Sequence, residues 1–457
     1  MPAIALSVFD LFKIGPGPSS SHTIGPMKAG YDFVQAAKAL DPGILAQAAG
    51  IEVRLYGSLS ATGKGHGTDR AVLAGLLGRS PESCPPEFLD DLAREPLALR
   101  PADIGGKPLM LSAANVIFDA VEHDHPSNNT LIIRLVSADL TAPPLFEREY
   151  YSVGGGFIQI KGEVEPERGE PRYPYATMGE LKALLADNDL SLNRLILENE
   201  RAVTGADEAA IMAGLDAILR TMDAAVDNGL AAEGLLPGPI GLARKAKRIL
   251  NRSQTKHHLQ ETILGHMCAY AFAVAEENAA GHIIVTAPTC GSAGILPAMA
   301  RIMRTRLGLS EQSIREGLLA ASAVGFLAKH NATIAGAEGG CQAEIGVASA
   351  MAAAMLAHAT GYGPRVTENA AETALEHHLG MTCDPVGGYV QIPCIERNAV
   401  SVVKAYTAFI IATAESPASH KVGLDQAIEA MMAIGRDMSC KYKETAQGGL
   451  AVCVPTC

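Results

Sequence analysis

The sequence has no tryptophan, and its aromatic residues make up only 5% of 457. With 48% hydrophobic residues and several alanine-rich stretches, the core is expected to be aliphatic and mostly helical, with little aromatic packing. Positive charge is in deficit: 37 Lys and Arg face 49 Asp and Glu, for a net charge of −12 and a pI near 5.6. That balance excludes the basic footprint of a nucleic-acid binder. No apolar run has the length and flanks of a membrane span. Ile345 to Pro364 comes closest, but it is mostly Ala and Gly, contains His358, and reads as a buried core helix. The opening MPAIALSVFDLFKIGPGP has neither a basic region nor a cleavage site, so no signal peptide is expected. Nine cysteines without a secretion signal imply reduced thiols and a cytoplasmic location, and an odd number does not close into a set of disulfides. There is no internal repeat, no tight C-x₂-C spacing and no GxxxxGK[ST] phosphate loop.

What is present concentrates between Ala335 and Arg397, which holds AGAEGGCQAEIG and MTCDPVGGYVQIPCIERN. Cys341, Cys383 and Cys394 each lie beside Gly or Pro, where the chain turns and amides are free. Soft thiolates ringed by N–H groups suit an iron–sulfur cluster. Three ligands on a four-iron cluster leave one iron open, which marks a catalytic metal site. The alternative is three small buried hydrophobes. Cys84, Cys268, Cys290, Cys440 and Cys453 read as non-ligands, with Cys290 notable for its glycine-rich setting beside Ser292.

Three other stretches carry polar chemistry. Ser19, Ser20, Ser21 and His22 precede a helical pattern from about Ile24 to Leu40, a capped N-terminus that also suits a carboxylate or phosphate. The Ile51–Tyr56 strand runs into a glycine-rich stretch, Gly57 to Arg70, read as a loop. It sets His66 between two glycines, a suitable position for an acid/base group; the bland alternative is a solvated loop histidine. Thr289, Cys290, Gly291 and Ser292 precede another helix and form a second anion-site candidate. Strands are expected at Asn115–Val121, Thr130–Val136 and Glu147–Ser152, the last followed by a Gly-rich turn beside Ser152. Helices are expected almost throughout from Thr177. The division is therefore an α+β domain over 1–163, a linker over 164–176 and a mostly α-helical domain with a C-terminal tail over 177–457.

These segments resemble the single-chain bacterial iron–sulfur L-serine dehydratases. The matching stretches are VFDLFKIGPGPSSSHTIGPMKAG, YGSLSATGKGHGTD, YYSVGGGFI, APTCGSAGILPA, KHNATIAGAEGGCQAEIG, MTCDPVGGYVQIPCIERN and KYKETAQGGLA, in order along the chain. The resemblance implies a 4Fe–4S cluster on Cys341, Cys383 and Cys394. It further implies an N-terminal domain like the allosteric substrate-binding domain of some phosphoglycerate dehydrogenases, a helical catalytic domain and a homodimer. The sequence departs from the family pattern around His123 to Thr130, which leaves His125 without an assigned role. The implied reaction is β-elimination of water from L-serine, ending in pyruvate and ammonia, with neither nucleic acid nor membrane as partner. His66 is the expected base. Ser19, Ser20, Ser21, His22, Ser152, Thr289, Ser292 and Lys329 are the expected substrate-binding groups. Cys457 carries a carboxylate, a nitrogen and a β-heteroatom, as serine does, and is expected to act as a tail inhibitor. Competing readings are a pyridoxal-phosphate enzyme using Lys64 or Lys329, an iron–sulfur sensor, and a zinc site completed by His358 or His377.

Overall fold

Alternating apolar residues build a five-stranded mixed sheet in the first half of the chain. In spatial order its strands are Val116–Phe118, Ala48–Leu55, Thr130–Ser137, Phe146–Ser152 and Ile158–Ile160. Ala48–Leu55 runs parallel to Val116–Phe118 and antiparallel to Thr130–Ser137. Helices Gly25–Lys38 and Thr68–Leu76 cross where both carry glycine: a Cβ on Gly75 would sit 2.1 Å from the Met27 carbonyl, and one on Gly30 2.5 Å from the Val72 carbonyl. Phe33, Val53, Leu73, Leu131, Ile133 and Tyr150 belong to the core that these elements share.

The computed structural model describes residues 2–139, 141–163, 168–255, 259–416 and 420–453. It divides into two compact units: Ile14–Pro166 with Gly281–Ile283, and Met1–Lys13 with Glu167–Ala280 and Ile284–Cys457. The first is the α+β unit just described. The second is helical, as the apolar spacing indicates, and its longest helices include Glu208–Ala231, Leu259–Ala280, Glu311–Asn331 and Cys394–Ala414.

Val347–Ala359 lies inside the helical unit, with every residue from 347 to 357 buried. A helix apolar on all sides has no solvent face, so it forms the centre of the bundle. Small residues let its neighbours approach closely: a Cβ on Gly317 would lie 2.7 Å from the Met355 carbonyl. Met1–Lys13 belongs to this unit because Glu200 accepts from Ser7 Oγ at 2.6 Å and from the Val8 amide at 2.8 Å.

Some elements differ from expectation. Residues 57–70 are not a loop: Ser58–His66 and Thr68–Leu76 are helical, hinged at left-handed Gly67. The strands Arg100–Ile104 and Lys107–Leu111 were hidden by Pro101 and Pro108, yet Gly105-Gly106, both at positive φ, is a recognisable hairpin signal. In the tail, Gly449–Val452 forms a 3-10 turn, and Cys457 lies outside the described residues.

Candidate active-site elements in each unit

In the α+β unit the site begins with the Gly67 turn. Its left-handed backbone lets the Gly67 amide donate back to Gly63 and Lys64, which ends the helix at His66. His66 is fully buried, not displayed on a loop as its glycine neighbours suggested. Its Nδ1 lies 3.0 Å from the Thr62 carbonyl, one helical turn back. A carbonyl only accepts, so Nδ1 carries the proton and Nε2 keeps its lone pair. Nε2 is buried and has no hydrogen-bond partner among the described residues. Burial lowers the His66 pKa to about 4, leaving the ring neutral at neutral pH.

His22 packs on His66, with ring centroids 4.6 Å apart. Hydroxyls bracket it: Ser21 Oγ is 2.9 Å from Nδ1 and Ser58 Oγ 3.0 Å from Nε2. Burial, and then the neighbouring His66, lower its pKa well below the usual histidine range. Two threonines fix the pair through backbone, Thr23 donating to the His66 carbonyl and Thr68 to the His22 carbonyl. Ser58, Thr62, Thr23 and Thr68 were not singled out from sequence. Reading 58–66 as helix would have exposed Thr62 as the i−4 partner of His66.

The serine run is a π-helical turn, Ser20–Ile24, whose cap Ser19 accepts from the His22 amide. Ser19 and Ser21 hydroxyls lie 3.3 Å apart, and Ser152 Oγ donates to the Ser21 carbonyl at 2.7 Å. Ser20 is buried in the same turn. Ser152 precedes Gly154, Gly155 and Gly156, all at positive φ. His125 lies elsewhere in this unit, 3.1 Å from Glu149 and stacked near Tyr56. Lys64 is exposed over the Phe118 ring.

In the helical unit the three cysteines are buried free thiols. Cys341 caps the π-helical turn Gln342–Gly346, and Cys394 opens the helix Cys394–Ala414. Cys383 pairs with the tail segment: its amide donates to Tyr442 and its carbonyl accepts from Glu444. Donor atoms of Cys341, Cys383 and Glu344 lie within 4.8 Å of one another. Gly336 makes room for them, since a Cβ there would sit 2.4 Å from Glu344 Oε2 and 3.5 Å from Cys383 Sγ. Among the described residues, Cys394, expected as the third ligand, lies outside this group, though its thiol feels the nearby Cys341; His358 and His377 lie outside it too.

A hydrogen bond with Cys341, and burial, push the Cys383 thiol well above the usual range; burial and nearby Cys341 do the same to Cys394. Buried thiols so placed do not ionise together unless positive charge joins them. Arg397 supplies part of it, while its guanidinium also donates to the Thr382 carbonyl and to Asp384. Two soft thiols beside the Glu344 carboxylate, burial and a glycine cradle fit the iron–sulfur group that the resemblance implies.

Asn398 ties the 289–294 loop to this region. It accepts from the Gly294 amide and donates to the Gly291 and Cys394 carbonyls. Thr289 hydrogen-bonds the Glu344 carboxyl, which burial raises to about 7. Ser292 Oγ closes its own loop onto the Ala287 carbonyl at 3.0 Å. Lys329 is half-buried near the end of Glu311–Asn331. Glu344 and Asn398 are the groups missed from sequence; each lies a helical step, three or four residues, beyond a cysteine, and that spacing was the available signal.

Comparison with known proteins agrees with this arrangement. The family model for the serine dehydratase beta chain matches residues 7–163, and that for the alpha chain residues 187–451. An L-serine dehydratase of Streptomyces coelicolor is 44% identical over 99% of this chain and 100% of its own length. An L-serine dehydratase of Haemophilus influenzae is 42% identical, and L-serine dehydratase TdcG of Escherichia coli 43%; each alignment covers 98% of this chain and 99% of the relative. With both family regions in one polypeptide and full-length relatives well above 30% identity, the chain belongs to the single-chain bacterial L-serine dehydratase family.

Proposed function

We propose that the chain converts L-serine to pyruvate and ammonia, with His66 as the base. The observation that carries the role of His66 is its Nε2: a buried lone pair on a neutral ring, with the tautomer fixed by Thr62 and no competing partner among the described residues. In this reading Nε2 takes the Cα proton, the freed electron pair forms the Cα=Cβ bond as the Cβ–O bond breaks, and the proton held on His66 then passes to the departing hydroxide, giving aminoacrylate and water. Tautomerisation and hydrolysis then release pyruvate and ammonia. As His66 becomes positive, the Thr62 carbonyl continues to accept from Nδ1–H and steadies the charge. His22, held by Ser21 and Ser58, fixes the ring plane of His66 from one side.

Cys341, Cys383 and Cys394 would hold the 4Fe–4S cluster, which when bound supplies a Lewis acid for the poor hydroxide leaving group. Thr289 would orient Glu344, and Arg397 would balance negative charge at the thiolates. The substrate-binding roles of Ser19, Ser20, Ser21, His22, Ser152, Thr289, Ser292 and Lys329 belong to the same proposal. So do the division at 163 and 177, the homodimer and the inhibitory role of Cys457. Deleting Thr456 and Cys457 is expected to abolish any lag before turnover; an unchanged lag together with an unchanged cluster spectrum would remove the tail from the scheme.

The test is anaerobic purification with iron, acid-labile sulfide and pyruvate measured on one sample. About four irons per chain, with activity lost in air, is the expected result. Pyruvate formation without iron would transfer the chemistry to pyridoxal phosphate, and iron without pyruvate would leave only the sensor reading.

A further inference from the structure

Within the helical unit, Pro364–Glu376 carries a polar stripe where packing calls for an apolar one. Arg365, Glu368, Asn369 and Glu372 follow at helical spacing, and the last three are 6%, 4% and 1% exposed. Burying such groups is unfavourable unless they gain partners. Glu368 has one, Lys182 of the helix Met178–Asp187. Glu372 meets His420 at 2.9 Å, and His420 also reaches Glu415 at 3.0 Å. Asn369 Nδ2 is buried without a hydrogen-bond partner among the described residues. Arg365 is exposed and has no ion-pair partner among the described residues.

Arg365, Glu368 and Asn369 line a cavity of about 660 Å³ together with Lys182, His420 and the apolar Leu185, Leu190 and Val422. That volume is typical of small-molecule sites. The lining combines three features. Arg365 and Asn369 offer donors for a carboxylate. Glu368, whose Oε2 serves Lys182, has a second oxygen for an ammonium group. The leucines and valine offer an apolar wall. Among the described residues, none of the cysteines and none of the serine run takes part.

We propose that this cavity is a binding site for an α-amino acid with an apolar side chain, its carboxylate on Arg365 and Asn369 and its ammonium on Glu368. The occupant is distinct from the substrate: it has no β-hydroxyl to eliminate.

The probe is L-norleucine, titrated calorimetrically into full-length, anaerobically prepared protein without L-serine, so the result does not depend on catalysis. Hexanoate lacks only the ammonium group of the probe, and pentylamine lacks only its carboxylate. L-norleucine is expected to bind, and both truncated probes to bind roughly tenfold or more weakly, the loss expected for one charge-assisted contact. Arg365→Ala, an exposed change compatible with folding, is expected to weaken L-norleucine by a similar factor while leaving the KM for L-serine unchanged. Glu368→Gln is expected to bring L-norleucine close to the affinity of hexanoate. No binding of L-norleucine to the unmodified protein, equal binding to Arg365→Ala, or hexanoate binding as tightly as L-norleucine would each overturn the proposal.

Discussion

His66 was legible as a residue but not as an environment. Its glycine neighbours suggested exposure, because glycine lowers helix propensity and favours turns. Tertiary packing overrode that preference and made 58–66 helical, which is how His66 acquires Thr62 as a partner and loses contact with water. His66→Gln preserves a polar side chain but removes the proposed base. It is expected to lower kcat by about 10²–10⁴-fold, the usual contribution of a positioned base, while iron and sulfide content stay unchanged. Exchange of the substrate α-proton with solvent should fall with it; exchange at the normal rate would assign the proton to another group. With a pKa near 4, His66 stays unprotonated well below the ordinary histidine range. The acid limb of kcat/KM is therefore expected below pH ~5, not near the model-histidine value of about 6.5.

The same sign appears in stability at a histidine without a catalytic part. His378 is buried between the Ala374 carbonyl and Ser401 Oγ, and burial holds its pKa to about 4. Above pH ~6.5 it is neutral in both folded and unfolded chains. As pH falls, the unfolded chain takes up its proton first, so stability is lost from there down to pH 4. The loss approaches at most about 3 kcal/mol. His378→Asn is expected to flatten the decline of Tm across that window relative to the unmodified protein, and parallel curves would contradict the assignment.

At the level of elements, apolar periodicity located most of the helices and the central strands, because burial on one face writes a direct signal into sequence. It was silent on close approach. Nothing in the spacing of Gly75 reveals that its α-carbon meets the Met27 carbonyl of a neighbouring helix. Gly75→Ala would place a Cβ 2.1 Å from that backbone oxygen and 2.7 Å from the Tyr31 amide. The two helices must separate, at a cost of about 1–3 kcal/mol, and Tm is expected to drop. An unchanged Tm would mean the crossing relaxes freely. Gly336→Ala meets a flexible carboxylate instead, so circular dichroism should hardly change. The displaced Glu344 no longer fits beside Cys383, and sulfide and iron recovered per chain are expected to fall. Full iron recovery would show that the cradle tolerates a methyl group.

At the level of the whole molecule, the cysteine site draws on segments that the sequence holds far apart. Cys341, Cys383 and Cys394 were identifiable by their turn chemistry, but nothing local announced that residues 442–450 would pair beside them. The link is made by backbone and one carboxylate: Cys383 bonds Tyr442 and Glu444, and Asp384 accepts from the Leu450 amide at 2.7 Å. The proposed metal group, if held by the three thiolates, would join its binding free energy to the order of every segment that positions them. Removing iron should therefore loosen the chain selectively. In hydrogen exchange of the full-length protein, amides of 336–346, 383–397 and 442–450 are expected to exchange about tenfold or more faster after iron removal, a change of ~1.4 kcal/mol or greater. Amides of Ala48–Leu55 and Thr130–Ser137 should keep their rates, because their core is built from residues between 27 and 150 and takes nothing from those segments. Uniform acceleration across both units would mean that iron supports global stability. No change at 442–450 would mean that the tail segment is held by its backbone pairing alone.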